Sequence, residues 1–185
     1  MQTLVKTILP KAYQLKVTLV DSEPEVWRRI LIPADVTLAA LHDIVQRAMG
    51  WENQHDYAFR LGIGQAPCDQ QKYLADALAI VGNKPIYYTY DFESGWLHRI
   101  ERIVTTMGVS DGLTLNPVIH MAICLEGAAA CPPEGTGGVW GYDELLMRLE
   151  DPEDPQYLDL LEQYGGFDPS QFDLAKANAR LAITS

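Results

Sequence analysis

The hydrophobic pattern changes period along this chain, and the changes mark its elements. From Tyr13 to Val20 apolar and polar residues alternate, with Tyr13, Leu15, Val17 and Leu19 on one side and Gln14, Lys16 and Thr18 on the other. A period of two predicts a half-buried strand. Asp21-Ser22-Glu23-Pro24 reads as a turn, and Val26 to Ile32 as a second strand in which Val26, Ile30 and Ile32 share a face with Arg28. A hairpin is the economical connection. Pro33 ends that strand, and the period then lengthens: Leu38, Leu41, Ile44, Val45, Ala48 and Met49 form a helical stripe, with Thr37 placed to cap it and Gly50 suited to the C′ position. His42 and Asp43 flank that stripe.

Beyond Gly50 the chain runs through a polar, aromatic loop from Trp51 to His55 into a strand at Tyr57 to Leu61. Gly62 to Gln71 is loop-like, and Tyr73 to Val81 fits a short helix or turn. Ile86 to Phe92 and Trp96 to Val104 are rich in Tyr, Ile and Val, as strands are, and Glu93-Ser94-Gly95 joins them at hairpin length. Val118 to Leu125 is a further strand candidate. Helical patterns then cover Tyr142 to Leu149, Pro155 to Tyr164 and Phe172 to Leu181. Strands in the first two-thirds and helices in the last third predict an α+β fold. The expected architecture is a mostly antiparallel sheet with one helix packed after the second strand. We expect residues 1–12 to form an N-terminal extension and residues 13–185 a single domain.

Composition narrows the function classes. With 185 residues, 48% hydrophobic and 21% charged, the chain can bury a core without disulfides or metal. Net charge is −11, and from Glu150 onward eight acidic residues face two basic ones. Such a field repels phosphate backbones and anionic lipid, which argues against nucleic-acid and membrane partners. Three cysteines, Cys68, Cys124 and Cys131, are too few and odd in number for a disulfide framework. With no membrane-length apolar run and no leader-like start at Met1 to Pro10, this predicts a cytoplasmic protein.

Between strands and final helices lies Cys131-Pro132-Pro133-Glu134-Gly135-Thr136-Gly137-Gly138, followed by Trp140-Gly141-Tyr142. It is stiff at its start and permissive at its end, so it fixes a backbone path. Three earlier patches accompany it: Pro24-Glu25-Val26-Trp27-Arg28-Arg29-Ile30; Leu41-His42 continuing to Gly50-Trp51-Glu52-Asn53-Gln54-His55; and Tyr90-Asp91-Phe92 leading to Trp96-Leu97-His98. In these four patches the chain resembles the plasmid pRiA4b ORF-3-like family, whose members are also labelled passenger proteins of insertion elements. The resemblance spans roughly Tyr13 to Leu181. It implies a compact α+β domain and an association with plasmid or mobile-element gene neighbourhoods. Family members usually read Asp-Phe-Gly-Asp before the Trp-x-His, where this chain has Asp91-Phe92-Glu93-Ser94-Gly95-Trp96, and Glu-Asp after the two prolines, where it has Glu134-Gly135.

Four constellations carry possible chemistry. His42, His55, His98, Asp91 and Glu134, with Cys131 nearby, are of the types that bind divalent metals or move protons. The fourth histidine is His120. No pair has tight ligand spacing, so structural roles come first: His42 on the helix flank, His55 capping a loop, His98 in a buried network. Trp27-Arg28-Arg29 suits an anion clamp, but strand alternation with one arginine in an internal salt bridge, to Asp91 or Glu134, is preferred. The glycines before the final helices can present amides to an anion, and can equally form a rigid loop packing Pro132-Pro133 on Trp96 or Trp140; without a following lysine they are no nucleotide-binding P-loop. The aromatic group Trp51, Tyr57, Phe59, Tyr87, Tyr88, Tyr90 and Trp96, in which Tyr88 and Tyr90 share a strand face with Phe92, suits a partner or peptide surface, but core plus rim is preferred.

These readings order three hypotheses. The first is a non-enzymatic binding or interaction module, with a groove drawn from Trp27, Arg28, Arg29, Trp51, Trp96, Cys131, Gly137, Gly138 and Tyr142. Its partner would be a protein or small molecule, and no cofactor or metal is assigned. The second is a metal-assisted or acid–base enzyme using His55, Asp91, His98 and Glu134. Direct DNA binding ranks last.

Overall fold

A computed structural model describes residues 12–103 and 121–183. Among the described residues six strands form one antiparallel sheet: β1 (Ala12–Leu19), β2 (Trp27–Pro33), β3 (Tyr57–Arg60), β4 (Ile86–Tyr90), β5 (Trp96–Arg102) and β6 (Ile123–Ala128), in the order β3-β4-β5-β1-β2-β6. The described residues also form five helices: α1 (Leu38–Met49), α2 (Leu74–Val81), α3 (Gly138–Leu149), α4 (Tyr157–Tyr164) and α5 (Leu174–Leu181). The fold is α+β, as the order of periodicities predicts. Of the expectations above, the N-terminal extension up to Lys11, the tail of the fifth strand at Val104, the start of the Val118 strand and His120 lie outside the described residues.

Register puts every second residue on the covered face of the sheet. Leu15 pairs with Ile30 and Val17 with Arg28 across β1 and β2, while Tyr88 pairs with His98 across β4 and β5. These residues are all buried, and α1 lays Leu38, Leu41, Val45, Ala48 and Met49 over them. Apolar burial on this scale is the main stabilising term. Thr37 accepts the amide of Ala40 at the start of α1, and Gly50 closes it in the left-handed region at φ 105°, as the capping residues predict.

Three local expectations need correction. Helix α3 begins at Gly138, not Tyr142, so the glycines belong to the helix start. A Cβ on Gly138 would overlap the Ser94 carbonyl, and one on Gly141 would overlap that of Thr136. Those glycines allow close backbone approach rather than delaying the helix. His42, read as flanking the apolar stripe, belongs to the buried face of α1. Phe92 leaves the face of Tyr88 and Tyr90 and is 55% exposed, because β4 ends at Tyr90 and Asp91 adopts φ +54°.

Among the described residues, no helix is long and apolar enough to cross a membrane.

Candidate functional site

The inner face of β4 and β5 carries a connected polar and aromatic layer. The Nε2–H of His42 donates to Asn53 Oδ1 at 2.6 Å, leaving Nδ1 to accept the Tyr88 hydroxyl at 2.7 Å. Gln46 Nε2 donates to that hydroxyl at 2.8 Å, and Tyr57 stacks on the His42 ring with centroids 3.5 Å apart. Burial lowers the pKa of His42, which suits this neutral tautomer. His98 sits deeper. Its Nδ1–H donates to the Trp96 carbonyl at 3.1 Å, and its Nε2 is buried with no hydrogen-bond partner among the described residues. Burial brings its pKa down to about 4.

Trp51 lies over His98, edge to face with centroids 5.2 Å apart. It ties this layer to the Pro/Gly loop by donating its indole N–H to the Pro132 carbonyl at 3.0 Å. Tyr90 makes the second tie. Its hydroxyl donates to Glu134 Oε1 at 2.6 Å and accepts the Gln54 amide at 3.0 Å, while the Glu52 amide also reaches Glu134 Oε1 at 3.2 Å. The ordered motif residues of two distant patches therefore fasten one loop to the other.

Beside that junction opens a cleft of about 750 Å³ between the C-terminus of α1, the Pro/Gly loop and the segment Gly166–Arg180. Arg28 and Arg180 both face it. Arg28 Nε donates to the Ala48 carbonyl at 3.3 Å, and Nη1 donates to those of Trp27 and Ala128 at 2.7 and 2.8 Å. Its guanidinium also stacks 4.1 Å from the Phe172 ring centroid. Arg180 donates to the carbonyls of Arg47 and, at 3.5 Å, Ala48. Two guanidiniums thus converge on the negative end of the α1 dipole. Gly50 makes the room, since a Cβ there would stand 3.1 Å from Arg180 Cζ.

The expected internal salt bridge from Arg28 or Arg29 to Asp91 or Glu134 is absent. Among the described residues Arg28 has no carboxylate partner, and Arg29, on the opposite sheet face, pairs with Glu126 at 2.9 Å. Strand alternation separates the two arginines, and Glu126 is the acidic residue in register with Arg29. Burial lowers the pKa of Arg28, and neighbouring Arg180 acts the same way against two nearby thiols. The carboxylates of the cleft are engaged internally. Glu52 accepts Gln54 Nε2 at 2.6 Å, Glu134 holds Tyr90, Asp168 caps Ser170 and Gln171, and Asp173 caps α5 through the Lys176 amide. Lys176 is exposed at the cleft and, among the described residues, forms no ion pair.

Of the residues assigned to a groove from sequence, Arg28, Trp51 and Cys131 line this cleft. Trp27 shares the opposite sheet face with Arg29, beneath Lys16 at 4.9 Å. Trp96 and Tyr142 are fully buried, Gly138 lies against the β4–β5 turn, and Gly137 precedes it beside Gly141. Of the acid–base candidates, Glu134 lines the cleft. His55 is exposed, with Nδ1 3.8 Å from Asp91 Oδ1, longer than a hydrogen bond. Asp91 stays below the usual carboxylate range: burial works to raise it, but the Ser94 and Glu93 hydrogen bonds and His55 outweigh that. His98 is enclosed behind Trp51. Burial pushes the Cys131 thiol up to about 12, so it is no thiolate at neutral pH. Among the described residues, no three His, Cys, Asp or Glu side chains are placed to hold one metal ion. Sequence reasoning missed Arg180, Lys176 and Phe172. The amphipathic stripe of α5 signals packing, and nothing local tells which helix end its cations will meet.

The chain matches the plasmid pRiA4b ORF-3-like protein family over residues 11–176, and it belongs to that family. It is 38% identical over 178 residues to the uncharacterised protein y4hQ of Sinorhizobium fredii, covering 89% of this chain and 85% of that one. The crystal structure of a protein of unknown function from Methanosarcina mazei Go1 superposes with a TM-score of 0.71 at 29% identity, over 89% of this chain and 96% of the other.

Proposed function

We propose that this member of the pRiA4b ORF-3-like family is a non-catalytic binding module whose cleft beside Trp51 receives an anionic group, a carboxylate or phosphate, on Arg28, Arg180 and Lys176. One observation carries the reading: a guanidinium with almost no exposed surface sits in the wall of the cleft, with carbonyl partners and no counter-ion among the described residues. Burying a charge without an opposite charge is costly. The α1 dipole and three carbonyls offset part of that cost, and a ligand anion would supply the rest. The volume, about 750 Å³, suits a small molecule. Trp51 and Phe172 offer the apolar walls such sites use, and Arg180 and Lys176 give the anion further donors.

Thermal unfolding with succinate, glutamate or inorganic phosphate, against potassium chloride at equal ionic strength, tests the reading. At least one anion should raise Tm in the wild-type chain and do so much less in Lys176→Ala, whose side chain is exposed and whose loss leaves the core intact. Equal response to all salts, or an undiminished response in the variant, would contradict it.

A further inference from the structure

A second hollow, of about 510 Å³, lies away from the anion cleft, between the β4–β5 turn, the end of β1 and the first turns of α3. Val20, Leu97, Val139 and Trp140 form its apolar walls, and Asp21 and Asp143 contribute carboxylates. No cation lines it among the described residues, and neither aspartate has a hydrogen-bond or ion-pair partner among them. Trp140 is 87% exposed, the most exposed large apolar side chain of the described structure. Met147, two helical turns on along the same stripe, is 65% exposed.

The hollow is a fixed shape. Gly138 puts the α3 backbone directly against the Ser94 carbonyl. Asp91 pins the opposite wall by accepting the Glu93 and Ser94 amides at 3.2 and 3.4 Å. A rigid hollow loses little entropy on being filled. An exposed indole on such a wall offers an apolar ring face and an N–H to a ligand.

Charge selects the occupant. Two unpaired carboxylates beside an indole face match a guanidinium, which takes carboxylate oxygens on its edge and an aromatic ring on its plane. The surrounding surface agrees: α3 and the chain that follows add Glu144, Glu150, Asp151 and Glu153, and Arg148 is held by Glu144, Gln156 and Asp154. A second copy is disfavoured, because both partners would carry −11. We propose that this hollow docks a basic segment of a partner protein, seating an arginine side chain between Asp21, Asp143 and Trp140.

The test is an NMR titration of the full chain with the peptide acetyl-Leu-Arg-Leu-amide and its citrulline analogue, which keeps the shape and removes the charge. The arginine peptide should shift the Trp140 indole N–H and the amides of Gly95 and Val139 saturably. The citrulline peptide should bind at least tenfold more weakly. Asp21→Asn with Asp143→Asn should abolish the shifts while the rest of the spectrum stays unchanged, since both are isosteric and asparagine tolerates the φ of +60° at position 21. Absent shifts at millimolar peptide, or equal shifts with citrulline, would overturn the proposal. So would sedimentation showing self-association that Trp140→Ala abolishes, because the occupant would then be a second copy.

Discussion

Replacing His98 by phenylalanine should change how stability depends on pH more than it changes stability at neutrality. His98 is fully buried, donates from Nδ1 to the Trp96 carbonyl, and has no partner for Nε2 among the described residues. Its folded-state pKa is about 4, against about 6.5 in an unfolded chain. The unfolded state therefore binds more protons between those values, and stability falls as pH falls through that window. At pH 7 both states are mostly neutral and the group contributes little pH dependence. Near pH 5 the unfolded state is almost fully protonated and the folded state is not, a loss of about 2 kcal/mol; below pH 4 the loss levels off at about 3 kcal/mol. Phenylalanine fills a similar volume and cannot titrate. Urea unfolding of both proteins at pH 7, 6 and 5 isolates the term, because every other titrating group, His42 included, is common to both. Wild type should lose about 2 kcal/mol relative to His98→Phe between pH 7 and pH 5. A stability difference constant across that range would refute the burial argument.

Other perturbations follow from close contacts. Gly138→Ala, with φ at +78° and the Ser94 carbonyl in the way of a Cβ, should cost more than about 2 kcal/mol by chemical denaturation; a neutral result would mean α3 does not press on the β4–β5 turn. Tyr90→Phe removes the hydroxyl shared by Glu134 and the Gln54 amide and should cost about 1–3 kcal/mol, with faster hydrogen exchange at Gln54; unchanged exchange would contradict the loop tie. Asn178 donates to the Cys124 carbonyl and accepts its amide, both at 2.9 Å, on the outer edge of β6. Asn178→Ala should lose about 1–2 kcal/mol and aggregate faster near its Tm through the uncovered edge; equal light-scattering onset relative to Tm would count against that role.

The fold was legible where pattern and geometry are local. The strand alternation placed Arg28 with Ile30 and Ile32, and the period change located α1 with its cap at Thr37 and its end at Gly50. The glycines before α3 misled, because their role is to meet the Ser94 and Thr136 carbonyls, which no local pattern encodes. His42 misled for a similar reason: its partner Tyr88 is 46 residues away, so its inward position depends on a register that only the folded sheet sets. The cleft was half legible. Arg28, Trp51, Cys131 and Glu134 stood in recognisable patches. Arg180 and Lys176 were hidden in an ordinary amphipathic helix, and only long-range packing carries α5 to the C-terminus of α1.

The central claim is that the cleft walled by Arg28 and Arg180 takes an anion. Its most direct test is to follow the guanidinium Nε–H resonances of Arg28 and Arg180 by ¹⁵N NMR while titrating succinate or inorganic phosphate, with potassium chloride as the reference. Saturable shifts of both resonances with at least one anion, weakened in Lys176→Ala, are the predicted result. Resonances that follow ionic strength alone up to millimolar anion would contradict it and leave the two arginines as caps on α1.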